Sequence, residues 1–587
     1  MTRLQLKHLG MVFAVAFSIR VVFVVVVLLS CPEFIEHPSI DGAFYVDWAR
    51  DILANEGQAK QAFFAHPLYP HVLAALFAVV GVHPVAVVVL QIVLGAATCV
   101  LVYDIGRRIF SEEAGVLAGL LLAVFWPSVA NVALLETVEL GNFLFAVSLW
   151  FWLRGNHKVP SSIMAGLALG WSTLCRANLL FLVPAFIAHG WRQRRLSVFA
   201  FVLGTGLVLG LVGARNRWVA GQWLFTTGHG GIALYMGFAP HNLSGTYESP
   251  SFVRPEPRYE QLDFQHEAER RVGHVLTTAE SSSFWRGEAL AEMGRSFADT
   301  GIRIIRKFGL TLANYEIADN NSLPYLRDVT GFSFVPLPGY GLILVLAVLG
   351  FGAAWPHERG ARLLGLLAAT YVATLLLFFV SSRMRAPLWV IWAPLAGRGL
   401  CEIRSWTLRA WPKGALALML TLVFWFMAPP ALSARDEGQA LAMHAVALMK
   451  ANRLDDAQSV QLQALAKAPN NAFILANAGA LALARDEARI AAGFCQRAVS
   501  LRPNVPGGQS CLGLAAAQLG MLEQARMHLA IAARDRTDVP ARLNYAIVLG
   551  RLGNNEAATA EIRKLSADAP RDARVQAAVR LLPTGRE

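Results

Sequence analysis

Residues 11–30 read Met-Val-Phe-Ala-Val-Ala-Phe-Ser-Ile-Arg-Val-Val-Phe-Val-Val-Val-Val-Leu-Leu-Ser, a run whose one charge is Arg20. A run of this length and polarity crosses the roughly 30 Å hydrocarbon core of a bilayer as a single helix. A secretory leader is the competing reading. Its apolar region would be only about 7–15 residues, followed by a small-residue cleavage pattern. This run is longer, lacks an Ala-x-Ala pattern, and follows Arg3, Lys7 and His8. It is therefore expected to remain as a helix with its N-terminus inside.

The composition extends that reading to most of the chain. Of 587 residues, 55% are hydrophobic and 16% charged, against about 25% charged in soluble domains. So few charges cannot cover a water-facing surface. The net charge of +12 is not a nucleic-acid signal, because the Lys and Arg residues sit between apolar segments, as membrane topology requires. Six Cys are too few for a disulfide framework. No CxxC spacing, HExxH, GxGxxG or P-loop is present.

Further apolar segments fall near 84–105, 114–130, 136–153, 161–174, 179–190, 196–213, 335–354, 361–380, 388–399 and 415–429. With the first, they predict about eleven spans, several of them short of the usual 20 residues. Five basic clusters fix the orientation: Arg107–Arg108, Arg154–Lys158, Arg192–Arg195, Arg359–Arg362 and Arg404–Lys413. All lie inside if the N-terminus is inside. The stretch 67–80 is too short to span and reads as an interfacial helix. An external loop then covers 31–83, with interfacial helices, and a second external segment covers 218–330.

After residue 430 the composition turns Ala-rich, charged and amphipathic. Ala457, Ala491 and Ala525 recur every 34 residues, the tetratricopeptide period, and Ala464, Ala498 and Ala532 repeat seven positions later. Pro469, Pro503 and Pro570 end three units, and a fourth unit follows around Ala558. The expected class is therefore all-α: a polytopic helical membrane domain over 1–430 and an α-solenoid of repeats over 436–587. An odd number of spans puts the repeats outside. Cys495 and Cys511 fall in adjoining helices there, and two small buried thiols are preferred over a bridge, which requires Cα atoms within about 7 Å.

The external loop carries Ser39-Ile-Asp41-Gly-Ala-Phe-Tyr45-Val-Asp47-Trp48-Ala-Arg50-Asp51. If a helix begins after Asp41, Tyr45 and Trp48 lie above it and Asp47 points elsewhere. Asp41 reads equally as a helix N-cap or as a functional carboxylate, and the roles are compatible. Arg215, Arg217, Arg383 and Arg385 fall at external helix ends, and Arg176 lies between two apolar halves near the outside. Each alone reads as an interfacial anchor. Five on the wrong side together favour an anionic ligand, since the guanidinium fork suits phosphate. Arg20, Glu136 and Glu139 lie at or near membrane depth, where Arg20 and a Glu could pair.

Asp41-x-x-x-Tyr45-x-x-Trp48-Ala49 and Ala65-His66-Pro67-Leu68-Tyr69-Pro70 resemble the first loop of family 39-like glycosyltransferases of the GT-C fold, relatives of protein O-mannosyltransferases and aminoarabinose transferases. Gly166 through Asn178, Gly230 through Gly237, Asn314 through Asn320, and Ser382 through Pro387 resemble the same family in order. The resemblance implies a glycosyltransferase with Asp41 as catalytic base. A polyprenyl-phosphate sugar is the implied donor, and the acceptor is a protein, lipid or glycan. The Asp-Glu pair of the mannosyltransferases is missing, which leaves the acceptor open. Tyr45, Asp47, His66, Tyr69, Arg176, Arg215, Arg217, Glu316, Arg383 and Arg385 are the substrate-binding candidates. Some GT-C enzymes use a divalent metal, but no residue pattern here marks a metal site. The implied location is a bacterial-type inner membrane with the repeats periplasmic, free to hold a protein partner. Two rivals stay open: a membrane-anchored repeat scaffold in envelope assembly, and an oligosaccharide ligase or polymerase.

Overall fold

In the computed structural model of the chain, the structure describes residues 2–38, 40–155, 158–254, 257–404, 419–420, 422–424, 430–535, 538–569 and 572–582. Among them are helices and turns but no strand. The chain divides into two units, one of Met1–Pro250 with Glu256–Asp436 and one of Ser251–Pro255 with Glu437–Glu587.

Among the described residues of the first unit, four helices are long and apolar enough to cross a membrane: Arg3–Ser30, Pro84–Ile109, Arg195–Ala220 and Arg359–Leu377. The segment expected over 114–130 is broken. Helices Glu112–Val124 and Trp126–Ala133 meet at 57°. Pro127 explains the break: a continuous helix would lose a backbone hydrogen bond and press the pyrrolidine ring on the carbonyl of residue 123. Val138–Arg154, Val159–Thr173 and Tyr340–Ala354 match expected segments but run only 17, 15 and 15 residues. The segment expected over 179–190 is a 3₁₀ stretch, Ala177–Leu182, followed by the α-helix Val183–Trp191. The last expected span, 415–429, lies mostly outside the described residues.

Arg20 makes no ion pair among the described residues. Its Nη1 donates to the carbonyls of Ala16 (3.0 Å) and Ala123 (3.3 Å), and its Nη2 to Ser128 Oγ (2.7 Å). These acceptors take its Nη donors while its Nε has no hydrogen-bond partner and Glu139 lies within electrostatic range; the Ala123 and Ser128 contacts tie the first helix to the broken one. Glu136 precedes its helix rather than starting it.

Among the described residues the loop over 31–83 holds three α-helices, Glu33–Glu36, Asp41–Ala54 and Leu68–Val80, and the 3₁₀ helix Gly57–Lys60. Leu68–Val80 is 13 residues, about 20 Å at 1.5 Å per residue, short of a span. Helix Gly230–Phe238 packs so closely on Thr278–Arg295 that a Cβ at Gly231 would lie 1.7 Å from the Ser282 carbonyl oxygen. Packing therefore accounts for Gly231 and, against the Phe378 carbonyl, Gly237, while Gly230 has open space beside it.

The second unit is a series of paired helices: Pro430–Lys450 (whose first seven residues fall in the first unit) with Leu454–Lys467, Ala472–Ala484 with Ala488–Leu501, Gly508–Gln518 with Leu522–Ala532, and Val539–Arg551 with Asn555–Asp568. Ala457, Ala491 and Ala525, at the 34-residue spacing, are all fully buried where helices of a pair meet. Cys495 and Cys511 are bonded, with Cα atoms 6.1 Å apart, which corrects the preference for two thiols. Gly479 makes the room: a Cβ there would lie 2.0 Å from Cys495 Sγ. The 34-residue period shows which helices adjoin and puts Gly479 at the small position of its helix, but not that this position faces both sulfurs.

Candidate functional site

Helix Ser382–Arg404 begins six residues earlier than its apolar pattern, so Arg383 and Arg385 stand in its first turn. The N-terminal end of a helix carries partial positive charge and disfavours cations. Both guanidiniums are accordingly met by carboxylates. Arg383 Nε donates to Asp319 Oδ2 at 2.7 Å, and its Nη1 donates to Asp41 Oδ2. Arg385 Nη2 donates to Glu316 Oε2 at 2.9 Å.

Asp41 is the first residue of helix Asp41–Ala54, where a carboxylate complements the dipole. It is not the N-cap. Ile40 holds that position with no side-chain capping bond, at φ +46°. A β-branched residue seldom adopts that conformation, which costs roughly 1–3 kcal/mol and persists only where the surroundings impose it. Asp41 instead pairs with Arg383, 342 residues away in sequence. Tyr45 and Trp48 are buried beside it as the helical spacing predicts. Asp47 pairs with Arg50 on the exposed side of the same helix at 2.9 Å, away from Asp41.

The loop 313–322 is laced to the start of the Arg383 helix. Ser382 N donates to the Ile317 carbonyl (2.9 Å), Ser382 Oγ to Glu316 Oε2 (2.5 Å) and Ser381 Oγ to Asp319 Oδ2 (3.1 Å). Asn321 Nδ2 donates to Glu136 Oε1 at 2.9 Å. Asp319 is thus part of the cluster, although its spacing gave it no role, and Glu136 enters through Asn321.

The five outward arginines separate by what they touch. Arg385 is fully buried and spends its donors on the carbonyls of Ala313 and Tyr315, both at 2.7 Å, and on Glu316. Its guanidinium carbon lies 3.9 Å from the centroid of the Tyr340 ring. Arg215 donates to the carbonyls of Ala59 and Gln61 and covers the Phe63 ring at 4.0 Å. Arg217 donates to the Gly221 carbonyl at its own helix end. These three donate to backbone carbonyls.

Arg176 is different. It is 6% exposed, and among the described residues no carboxylate lies within 4.0 Å of it. Its Nη1 donates to Met384 Sδ at 2.9 Å, a weak acceptor, and it also reaches the Tyr371 hydroxyl. His66 lies within electrostatic range of Arg176, Arg383 and His229, and its buried Nδ1 has no hydrogen-bond partner. Burial first, then these neighbours, pull the imidazole pKa down to about 3, so it is neutral at pH 7. Tyr69 donates to Gln91 Oε1 at 2.8 Å, and burial raises its pKa. Among the described residues no group of three or more His, Cys, Asp and Glu is arranged to hold a metal ion.

The arrangement is a carboxylate held by an arginine, beside a second arginine and an imidazole with unspent hydrogen-bonding capacity. It can take an anion with polar groups near it.

No curated protein sequence matches the chain. Among solved structures it is similar to the oligosaccharyltransferase AglB of Archaeoglobus fulgidus in complex with an inhibitory peptide and a dolichol-phosphate. The identity is 12% and the TM-score 0.36, covering 77% of this chain and 59% of that one. The chain thus spans less than two thirds of the length of that relative. It is also similar to ArnT of Cupriavidus metallidurans bound to undecaprenyl phosphate, at 14% identity and a TM-score of 0.39, covering 88% of this chain and 80% of that one. The model of the family dolichyl-phosphate-mannose-protein mannosyltransferase matches residues 65–218, the stretch that contains His66, Tyr69, Arg176, Arg215 and Arg217. That match makes residues 65–218 of the first unit similar to the dolichyl-phosphate-mannose-protein mannosyltransferases.

Proposed function

We propose that the chain is a membrane glycosyltransferase that moves a sugar from a polyprenyl-phosphate donor to a hydroxyl of a protein, lipid or glycan acceptor. The observation that carries this reading is Arg176. A guanidinium buried among apolar side chains, without a carboxylate, costs several kcal/mol unless an anion joins it. The adjoining cation Arg383 and the unpartnered Nδ1 of His66 suit the same anion.

In the reaction, Asp41 takes the proton of the acceptor hydroxyl as that oxygen bonds to the anomeric carbon. The bond from the anomeric carbon to the phosphate oxygen breaks, and polyprenyl phosphate leaves with the electron pair. A positioned base contributes about 10²–10⁴-fold. Fixed cations at the departing phosphate stabilise the charge that develops there. Neutral His66 donates a hydrogen bond to the phosphate rather than a charge. A single displacement inverts the anomeric configuration. Asp319 positions Arg383, so Arg383 stays in place when Asp41 exchanges its partner for the acceptor. Arg385, Arg215 and Arg217 hold the backbone that forms the site.

The same reading puts the site and the repeats on the external side of a bacterial-type inner membrane, with the N-terminus cytoplasmic. The Cys495–Cys511 bond supports this, because structural disulfides persist in oxidising compartments. Stacked helix pairs offer an extended surface suited to an acceptor or partner peptide.

The test is mass spectrometry of lipid-linked sugars and glycosylated products in cells with and without the chain. A lipid-linked sugar should accumulate and a glycosylated product should vanish on deletion. Unchanged profiles of both, with an assembly defect instead, would leave the scaffold reading standing.

A further inference from the structure

We propose that Glu260, with Tyr247 and His229, forms a subsite that reads the hydroxyls of the donor's sugar ring; this rests on the glycosyltransferase reading. The three residues come from the segment 218–330 and have no part in the displacement itself. The Tyr247 hydroxyl donates to Glu260 Oε1 at 3.3 Å, and His229 Nε2 lies 3.5 Å from the same oxygen.

Three contacts bring the trio to the site. The Gly245 carbonyl accepts from Val380 N at 3.0 Å, which ties the turn before Tyr247 to the backbone three residues ahead of Arg383. The Tyr247 ring stands edge-on to Phe379, 5.4 Å between centroids. The His229 ring stands edge-on to Phe64, two residues before His66, at 5.2 Å. Asp41, Asp319 and Glu260 all act electrostatically on the Tyr247 phenol, which burial and those charges keep protonated. The trio therefore fronts the Asp41–Arg383–Asp319 cluster without occupying it.

The chemistry matches a polyol. The anomeric carbon must lie between the base and the phosphate-binding arginines. Ring hydroxyls that point away from that carbon then meet whatever flanks the pair. Each hydroxyl both donates and accepts, and a carboxylate beside a phenol and an imidazole supplies both complements. Hydrogen bonds to an ionised acceptor are about twice as strong as neutral ones, which suits a group that selects among sugars. The aromatic edges of Phe64 and Phe379 hold two of the three polar side chains in place, so little rotamer freedom is lost on binding.

The experiment uses the full chain in lipid nanodiscs. Affinity is measured for undecaprenyl phosphate alone and for a panel of undecaprenyl-phosphate-linked hexoses and pentoses, with Glu260→Gln and His229→Asn beside the wild type. The expected result is a loss of about tenfold or more in affinity for at least one sugar-loaded lipid, with a changed ranking across the panel. Affinity for the bare phosphate should stay within about twofold. Equal losses for bare and loaded lipids, or no loss for either, would overturn the subsite. Because this readout is binding, it separates from turnover. A wild type that prefers one loaded lipid yet transfers nothing would sink the enzymatic reading and leave the subsite intact.

Discussion

Replacing Arg176 by Met should strengthen the fold and weaken the ligand. Met matches the apolar stem of Arg and can fill the space against Met384 and Tyr371. Arg176 is 6% exposed and its hydrogen-bond partners are a thioether and a phenol. Neither repays the dehydration of a guanidinium, so an apolar residue of similar volume should leave stability unchanged or raise it by about 1–4 kcal/mol. Loss of a hydrogen bond to a charged phosphate costs about 1.5–3 kcal/mol, a factor of about 10–150 in affinity. The two effects carry opposite signs, and that separates a ligand-binding arginine from a structural one. Thermal unfolding of detergent-solubilised protein without lipid reads the first, and titration with undecaprenyl phosphate reads the second. Arg176→Lys, which keeps the charge and loses the fork, should fall between. A variant that melts earlier than the wild type while binding the lipid within about twofold would refute the reasoning.

Asp41→Asn should lower the transfer rate by about 10²–10⁴-fold while the protein stays folded, because Arg383 keeps its bond to Asp319; full activity in a folded variant would make Asp41 structural only. His66 gives a pH signature. Its folded pKa of about 3 lies below the unfolded value near 6.5, so the unfolded chain binds the extra proton and stability falls as pH drops from 6.5 toward 3. Between pH 6.5 and 5 the contribution is at most about 2 kcal/mol, less for partial exposure, and His66→Asn should flatten that slope in thermal melts. In cells, Cys495 and Cys511 should resist alkylation until a reductant is added, and a reporter that fluoresces only in the cytoplasm should stay dark when fused after Glu587; prompt alkylation together with fluorescence would place the repeats inside.

The large features were legible because they are periodic. An apolar run long enough to span needs no partner to be recognised, and a 34-residue alanine period persists wherever helices must approach closely. The breaks were harder to see. Nothing in apolar content distinguishes 114–130 from a straight span, and Pro127 decides it through one missing N–H. Asp41 stood out beside Tyr45 and Trp48, but its pairing with Arg383 joins residues 342 positions apart, and no local pattern carries that information. Glu260, Tyr247 and His229 gave no signal either. They are spread over 31 positions of sequence, and only the folded chain brings them together. Asp319 was visible within a family-like stretch but had no role until Arg383 was seen to need a second carboxylate.

The arginines show why charge on the wrong side of a membrane protein is an ambiguous clue until partners are known. A guanidinium has five N–H donors in a fixed fork, so it is equally able to stitch backbone and to grip an anion. Arg385 is spent on two carbonyls and a carboxylate, and the face of its fork lies against Tyr340. Arg215 is spent on two carbonyls of the loop between the Asp41 helix and the Leu68–Val80 helix, which gives that loop its path toward His66. Such residues need no ligand, and their removal should act on folding first. Arg383 is held by two carboxylates, one of which, Asp41, is the proposed base. Of these five, only Arg176 is buried with no carboxylate within 4.0 Å among the described residues. In a low-dielectric setting the uncompensated charge is the costly one, so among five arginines with the same topological signal, Arg176 is the one whose environment the proposed phosphate would complete.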